Sequence, residues 1–292
     1  MADVHWTDGR RAPERSRPTQ AEIIPFNRAE LARSETSPLL LAQLIEGEII
    51  PRLLLAHQPS PLSSSNVVSL VPISGTEVVV FSELALVQEV GPLLAHVEGL
   101  MERGLAVEDV YLNLLSPAAR WLGELWEQDL CSFTDVTVGL CRLQQVVYEI
   151  SSRSTVSEPP AERGSALFAL TPGDQHGFGL VLVTEFFRRA GWRTESAPDA
   201  TAAELIERVS TQAYDLVGFS MADEQWLASL PQLIADLRDA SRNPKLRIIV
   251  GGRVFSERPE RVALVGADAT AEDPREAVKR AEALAGSRSA VA

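Results

Sequence analysis

Four histidines occur in 292 residues, and one of them, His176, stands two positions after Asp174 in the stretch "TPGDQHGFGL", residues 171–180. A continuous apolar run precedes that stretch and another follows it. An imidazole in such a turn can offer a neutral ring nitrogen to a metal. A carboxylate two residues away can accept a hydrogen bond from the other ring nitrogen, which fixes the tautomer and makes the ligand more basic. The pair can equally be two loop residues that satisfy each other and the backbone, and on its own it leaves both readings open. No second histidine, cysteine or carboxylate cluster nearby completes a protein-only metal cage. A metal already held by its own macrocycle needs only one axial ligand from the chain.

The elements that must position this pair can be read from periodicity. After residue 164 short apolar runs alternate with amphipathic helical stretches. The runs "ALFALT", "WRTESA", "YDLVGFS", "KLRIIVGG" and "ALVGA" predict five strands with helices between them. That alternation implies an α/β, Rossmann-like (flavodoxin-like) parallel sheet in the order 2-1-3-4-5. Ligands bind such sheets outside the carboxyl ends of the strands, at the switch point between the first and third. His176 comes directly off strand one, Ser220 ends strand three, and Gly251 and Gly252 end strand four, so these positions converge on one edge.

Upstream, residues 76–155 have leucine, valine and aromatic residues at three- and four-residue intervals, which predicts a small helical bundle. One helix is expected over 81–104 with a break near Pro92, a second over 106–129 kinked at Pro117, and a third over 133–154. Residues 1–75 are expected to be a largely flexible extension with one helix at 37–57. Residues 156–164 form a linker, and 165–290 the sheet domain.

Composition narrows the function classes. Forty acidic residues against 27 basic ones give a formal charge of −13. That argues against direct nucleic-acid binding, which needs a positive footprint, and leaves protein partners open. Cys131 and Cys141 form no metal-ligand pattern and fit free thiols in a reducing compartment. The first residues show no secretory signal and no run is apolar and long enough to span a bilayer, so a cytoplasmic protein without membrane contact is expected.

The stretch "DQHGFG" resembles the D-x-H-x-x-G motif of cobalamin-binding domains, through Asp174, His176 and Gly179, with Gly177 and Phe178 between them. Forty residues separate Gly179 from Ser220, and "GFSMA", which begins at Gly218, resembles that family's S-x-L segment with Ala222 in place of the leucine. Gly251–Gly252 follows after a further 28 residues, and "GADA", from Gly266, resembles the segment after the fifth strand. The resemblance implies a cobalamin whose dimethylbenzimidazole tail leaves cobalt and enters the crevice between strands one and three. His176 is then the lower axial ligand and Asp174 its orienting partner. Ser220 meets the tail base, while the glycines clear space for the nucleotide.

The bundle is similar to the cap over the upper corrin face in methionine synthase and in light-sensing repressors. There a tryptophan is followed, after nine residues, by Glu-His. Trp126 matches the tryptophan, but Val136 and Thr137 stand at the Glu-His positions, so upper ligation at 137 is ruled out. His57 and His96 are alternative upper ligands without specific support, and His5 lies in the extension. The layout, "WLGELWEQDLCSFTDVTVGLCRLQ" and "TPGDQHGFGLVLVTEFFRRAGW" resemble the AerR/PpaA family of cobalamin-dependent antirepressors of photosynthesis genes. That resemblance implies a non-enzymatic, light-responsive regulator that contacts a photosystem-gene repressor. It would carry adenosylcobalamin in the dark and hydroxocobalamin after light. A corrinoid methyl carrier of a methyltransferase system and a non-sensing cobalamin-binding scaffold are the alternatives.

Overall fold

The structure, a computed structural model, describes residues 72–153 and 163–286. Of the extension expected over 1–75, residues 1–71 with the helix at 37–57 lie outside the described residues, as do His5, His57, most of the linker and residues 287–290, while Gly75 already opens the first helix.

The bundle opens with α1 (Gly75–Val87), whose N-cap Ser74 accepts the Glu77 amide at 3.1 Å. Next come α2 (Val90–Glu102) and α3 (Val107–Val110), then a π-helical turn (Tyr111–Leu115) that runs into α4 (Ser116–Glu127). The last helix is α5 (Phe133–Arg153). The single helix expected over 81–104 is therefore two helices, and the break falls at Gln88–Glu89. Pro92 sits in the first turn of α2, where its missing N–H costs no helical hydrogen bond. Pro117 likewise occupies the first turn of α4. The irregularity there is a π turn, which lets Tyr111, Leu114 and Leu115 all be buried.

The sheet domain runs β1 (Ser165–Leu170), α6 (Phe178–Arg189), β2 (Arg193–Ala197), α7 (Ala202–Thr211) and β3 (Leu216–Ser220). It continues with a 3₁₀ turn (Glu224–Trp226), α8 (Leu230–Ala240), β4 (Arg247–Gly251), α9 (Arg253–Ser256), α10 (Arg261–Val265), β5 (Ala269–Thr270) and α11 (Pro274–Gly286). All pairings are parallel and the order is β2-β1-β3-β4-β5, as expected. Phe168 faces Gly218 in register, Leu170 faces Ser220, and Ser220 faces Gly251.

One strand is corrected. "ALVGA" does not form the fifth strand: Arg261–Val265 is helical and Gly266 closes that helix in the left-handed conformation at φ 73°. Short apolar runs do not distinguish a buried strand from a buried helical turn. The Gly after Val265 was the signal for a helix end. The strand is the two-residue Ala269–Thr270, so Gly266 precedes β5 rather than following it.

Two apolar layers flank the sheet. Leu167, Val217, Phe219, Ile248 and Val250 pack under α7 and α8, while Ala166, Phe168, Leu170, Leu216 and Ile249 pack under α6 and α11. The bundle docks on α6, whose Leu182 and Phe186 join the bundle core, and Tyr111 meets Phe186 with ring centroids 6.1 Å apart. Polar groups rim this contact. Arg189 Nε donates to Glu108 at 2.7 Å, Arg275 Nη2 to Asp109 at 2.7 Å, and Ser151 Oγ to the buried Glu185 at 2.9 Å.

Burial works against ionisation of Glu108, but the Arg189 hydrogen bond and the nearby charges of Arg189 and Arg275 win and hold its carboxyl below the ordinary 4.5. A carboxyl depressed in the folded state stabilises that state above the unfolded value and loses the contribution as pH falls through the folded one. Thermal unfolding between neutral pH and pH about 3 should therefore show less acid sensitivity in Glu108→Gln than in the parent chain. Equal acid sensitivity would deny Glu108 this role.

Candidate functional site

The site is built at the carboxyl edge of β1 and β3. Thr171–Asp174 forms a tight turn closed by the Asp174 amide on the Thr171 carbonyl at 2.9 Å. Pro172 and Gly173 supply its central positions, with Gly173 at φ 99°, the pattern of a type II turn. A methyl group on Gly173 would fall 2.6 Å from the Trp226 ring, so the indole lies directly against this turn.

Asp174 leaves the turn with a fully buried side chain, whereas the His176 side chain is 62 % exposed. Oδ1 of Asp174 accepts the His176 backbone N–H at 3.0 Å and lies 2.6 Å from His176 Nδ1. Oδ2 accepts the Ala222 N–H at 2.6 Å and the Asp223 N–H at 3.4 Å. Burial alone would raise the carboxyl's proton affinity. The Ala222 amide and the bonds to His176 outweigh it and hold Asp174 below its ordinary range. An ionised, buried carboxylate on Nδ1 places the ring proton there and leaves Nε2 as the free lone pair. The arrangement is that of a histidine prepared to give one nitrogen to a metal from a solvent-facing position.

Gly177 caps α6, and Phe178 packs against the bundle core. A methyl on Gly179 would stand 3.6 Å from Ser220 Oγ, which places the start of α6 directly beside the end of β3. A methyl on Gly251 would meet only the Ala271 carbonyl at 3.8 Å. Gly252, at φ 90°, is backed onto Met221: a Cβ there would lie 2.4 Å from the Met221 carbonyl oxygen. The Phe168 ring covers Gly218, where a Cβ would fall 2.5 Å from it. Asp174, His176, Gly177, Gly179, Ser220, Gly251 and Gly252 are thus gathered at one sheet edge. Gly266 is not among them. Its carbonyl accepts Arg238 Nη1 at 2.8 Å in an open cavity of about 490 Å³ shared with Lys245 and Arg247, at the strand-entry edge of β4.

In the bundle, Trp126 is 45 % exposed at the end of α4 and meets Phe133, 66 % exposed, edge-on at 6.0 Å. They form an uncovered apolar corner, and Leu130, in the turn between α4 and α5, is exposed as well. Trp126 is therefore outside the bundle core. Val136 is buried in that core, and Thr137, on the exposed side of α5, donates its hydroxyl to the Phe133 carbonyl at 2.8 Å. His96 is half-buried on α2, beside Phe81 with ring centroids 5.3 Å apart and with Nε2 3.5 Å from Glu77.

Sequence reading missed Trp226, Phe168 and Arg253. Pro172-Gly173 announced a turn, but nothing in the spacing announced the indole that packs on it. Among the described residues no group of three or more His, Cys, Asp or Glu side chains could hold a metal ion. The donor on offer at the sheet edge is a single imidazole, His176, whose Nδ1 is held by Asp174 and whose Nε2 could give one nitrogen to a metal.

Comparison with known proteins agrees. Residues 164–279 match the family model of the B12 binding domain. A curated relative, the "Uncharacterized 20.5 kDa protein in bchF-crtJ intergenic region" of Rhodobacter capsulatus, is 25 % identical over 168 residues, 57 % of this chain and 87 % of the relative. Among solved structures, the monomethylamine corrinoid protein of Methanosarcina barkeri shares the fold with a TM-score of 0.60 at 19 % identity, over 72 % of this chain and 100 % of that one. Residues 164–279 thus match the B12 binding domain family and have the parallel sheet order expected of the Rossmann-like fold, which supports a cobalamin-binding domain there.

Proposed function

We propose that the chain is a light-responsive, cobalamin-binding regulator in the cytoplasm that relieves repression of photosynthesis genes by contacting their repressor, and is not an enzyme. The observation that carries the sensing role is the uncovered corner of Trp126 and Phe133, combined with Val136 and Thr137 where an upper ligand would stand. Such a bundle can shield an organic group above a corrin without competing for the metal. The relative located between bchF and crtJ is in keeping with a photosynthesis connection.

When bound, adenosylcobalamin supplies a cobalt–carbon bond that light can break. The chain's own residues do the rest. His176 Nε2 would hold the metal, Asp174 would keep the ring oriented, and the space beside Gly179 and Ser220 would receive the tail. Trp126 and Phe133 cover the upper group and exclude water from it. A group bound there would cover their exposed apolar surface and its loss would return that surface to solvent, a local packing change with a two-state readout. No helix among the described residues is long and apolar enough to cross a membrane, and the acidic surface suits a protein partner over nucleic acid.

The second reading, a corrinoid methyl carrier, draws on the fold shared with the monomethylamine corrinoid protein. One preparation separates the two. Protein reconstituted with adenosylcobalamin in the dark should change its absorption spectrum on illumination, and should shift its elution volume or its affinity for the repressor. Binding without any light-driven change would reject the sensor. Methyl transfer after reductive activation would favour the carrier.

A further inference from the structure

Asp174 is held by peptides, and those peptides are themselves held. The 221–222 peptide gives its N–H, that of Ala222, to Asp174 Oδ2 at 2.6 Å, and its carbonyl, that of Met221, accepts the Val254 N–H at 3.3 Å. The 222–223 peptide gives its N–H, that of Asp223, to the same oxygen at 3.4 Å. Its carbonyl, that of Ala222, accepts both Nε and Nη2 of Arg253 at 3.4 and 3.3 Å. Gly252, with its φ of 90° and no side chain, lets the β4 exit close against the Met221 backbone and brings Arg253 within reach.

The geometry points to Arg253 as a positioning residue that tunes the lower axial ligand through the 222–223 peptide. This rests on the cobalamin reading of His176. A cation on a peptide carbonyl withdraws electron density from the far N–H and makes it a better donor, and hydrogen bonds in series polarise one another. The guanidinium, with two donors on one oxygen, also fixes the direction of that peptide. Asp174 Oδ2 is thereby held against the two amides, and Oδ1 is left facing His176 Nδ1. A changed orientation of this carboxylate changes how His176 Nδ1 is held and so the aim and donor strength of Nε2, the atom that would compete with the cofactor's own base for cobalt. Trp226 braces the same arrangement from the Gly173 side of the turn, but it carries no charge and fixes position only.

Arg253 is exposed and touches none of His176, Gly179 and Ser220, so its removal should leave the fold and the corrinoid pocket in place. The test uses full-length protein, uniformly labelled with ¹⁵N, loaded with unlabelled cobalamin reduced to the paramagnetic Co(II) state. Electron paramagnetic resonance then separates cobalt bound by protein histidine from cobalt bound by the cofactor's base, because the two nitrogen isotopes split the signal differently. His176→Ala serves as the reference without histidine ligation. Arg253→Ala is expected to lower the ratio of histidine-bound to base-bound cobalt about three-fold, with unchanged thermal stability, and Arg253→Lys to recover part of it. A ratio in Arg253→Ala equal to that of the parent, with His176→Ala clearly different, would overturn the inference and leave the histidine assignment standing. If the parent itself shows only base-bound cobalt, the histidine assignment and this inference fall together.

Discussion

His176→Ala is expected to lower the affinity for cobalamin by more than about 100-fold and to leave the fold intact. The side chain is 62 % exposed and its partner is Asp174, so the apo protein loses little when it goes. Exposed substitutions without structural contacts generally stay within about 0.5 kcal/mol. The loss to the complex is of another kind. Without an imidazole the chain would offer no nitrogen to compete with the cofactor's own base, so that base would stay on the metal more often and the tail would be buried beside Gly179 and Ser220 less often.

Asp174→Asn should give the intermediate result, a fall of about 10- to 100-fold, the range for groups that orient a metal ligand. The amide cannot accept on both sides as the carboxylate does: it must present N–H₂ either to His176 Nδ1 or to the Ala222 amide. Titration of each variant with hydroxocobalamin, followed by absorption and by thermal melting of the apo forms, separates ligand loss from unfolding. An unchanged affinity and spectrum in His176→Ala would remove the histidine from the cobalt.

How much of this was legible in the sequence depended on the kind of signal. The sheet order followed from alternating buried runs and amphipathic helices, because chain handedness and connection rules leave few alternatives. The D-x-H pair was legible as chemistry, and the structure adds that Asp174 is inside and His176 outside, with the carboxylate bonded to His176 and to backbone amides. That division needs the backbone amides of Ala222 and Asp223, 48 and 49 residues away, and such contacts leave no trace in local spacing. Gly266 shows the converse. A glycine after an apolar run looked like a site element, but it closes α10 and faces the other edge of the sheet. The Glu108–Arg189 and Asp109–Arg275 pairs, which fasten the bundle, were also illegible, since an acidic run reads as a solvated face until its partners are placed.

Gly252→Ala should be the most damaging small substitution in the domain. At φ 90° an alanine is strained by about 1–3 kcal/mol before any contact is considered. Its Cβ would then stand 2.4 Å from the Met221 carbonyl oxygen and 2.8 Å from the Met221 nitrogen, and neither is the free end of a flexible chain. Met221 is fixed on both sides, donating to the Gly251 carbonyl at 3.0 Å and accepting from Val254 at 3.3 Å. Strain and clash act in the same direction, so a loss of about 3 kcal/mol or more is expected, a large share of a typical domain's stability. Urea unfolding of the apo protein measures it as a lower midpoint at unchanged slope. The fraction that remains folded should also bind cobalamin more weakly, because moving Met221 carries the Ala222 N–H away from Asp174. Gly179→Ala is the counterpart. Its methyl has ordinary clearance, 3.6 Å from Ser220 Oγ, and occupies the space beside the end of β3. Stability there should be held or slightly raised by the better helix former while cobalamin affinity falls. If Gly179→Ala binds as well as the parent, the tail does not pass between α6 and β3; if Gly252→Ala unfolds at the parent's urea midpoint, the β3 exit is not clamped as the geometry requires.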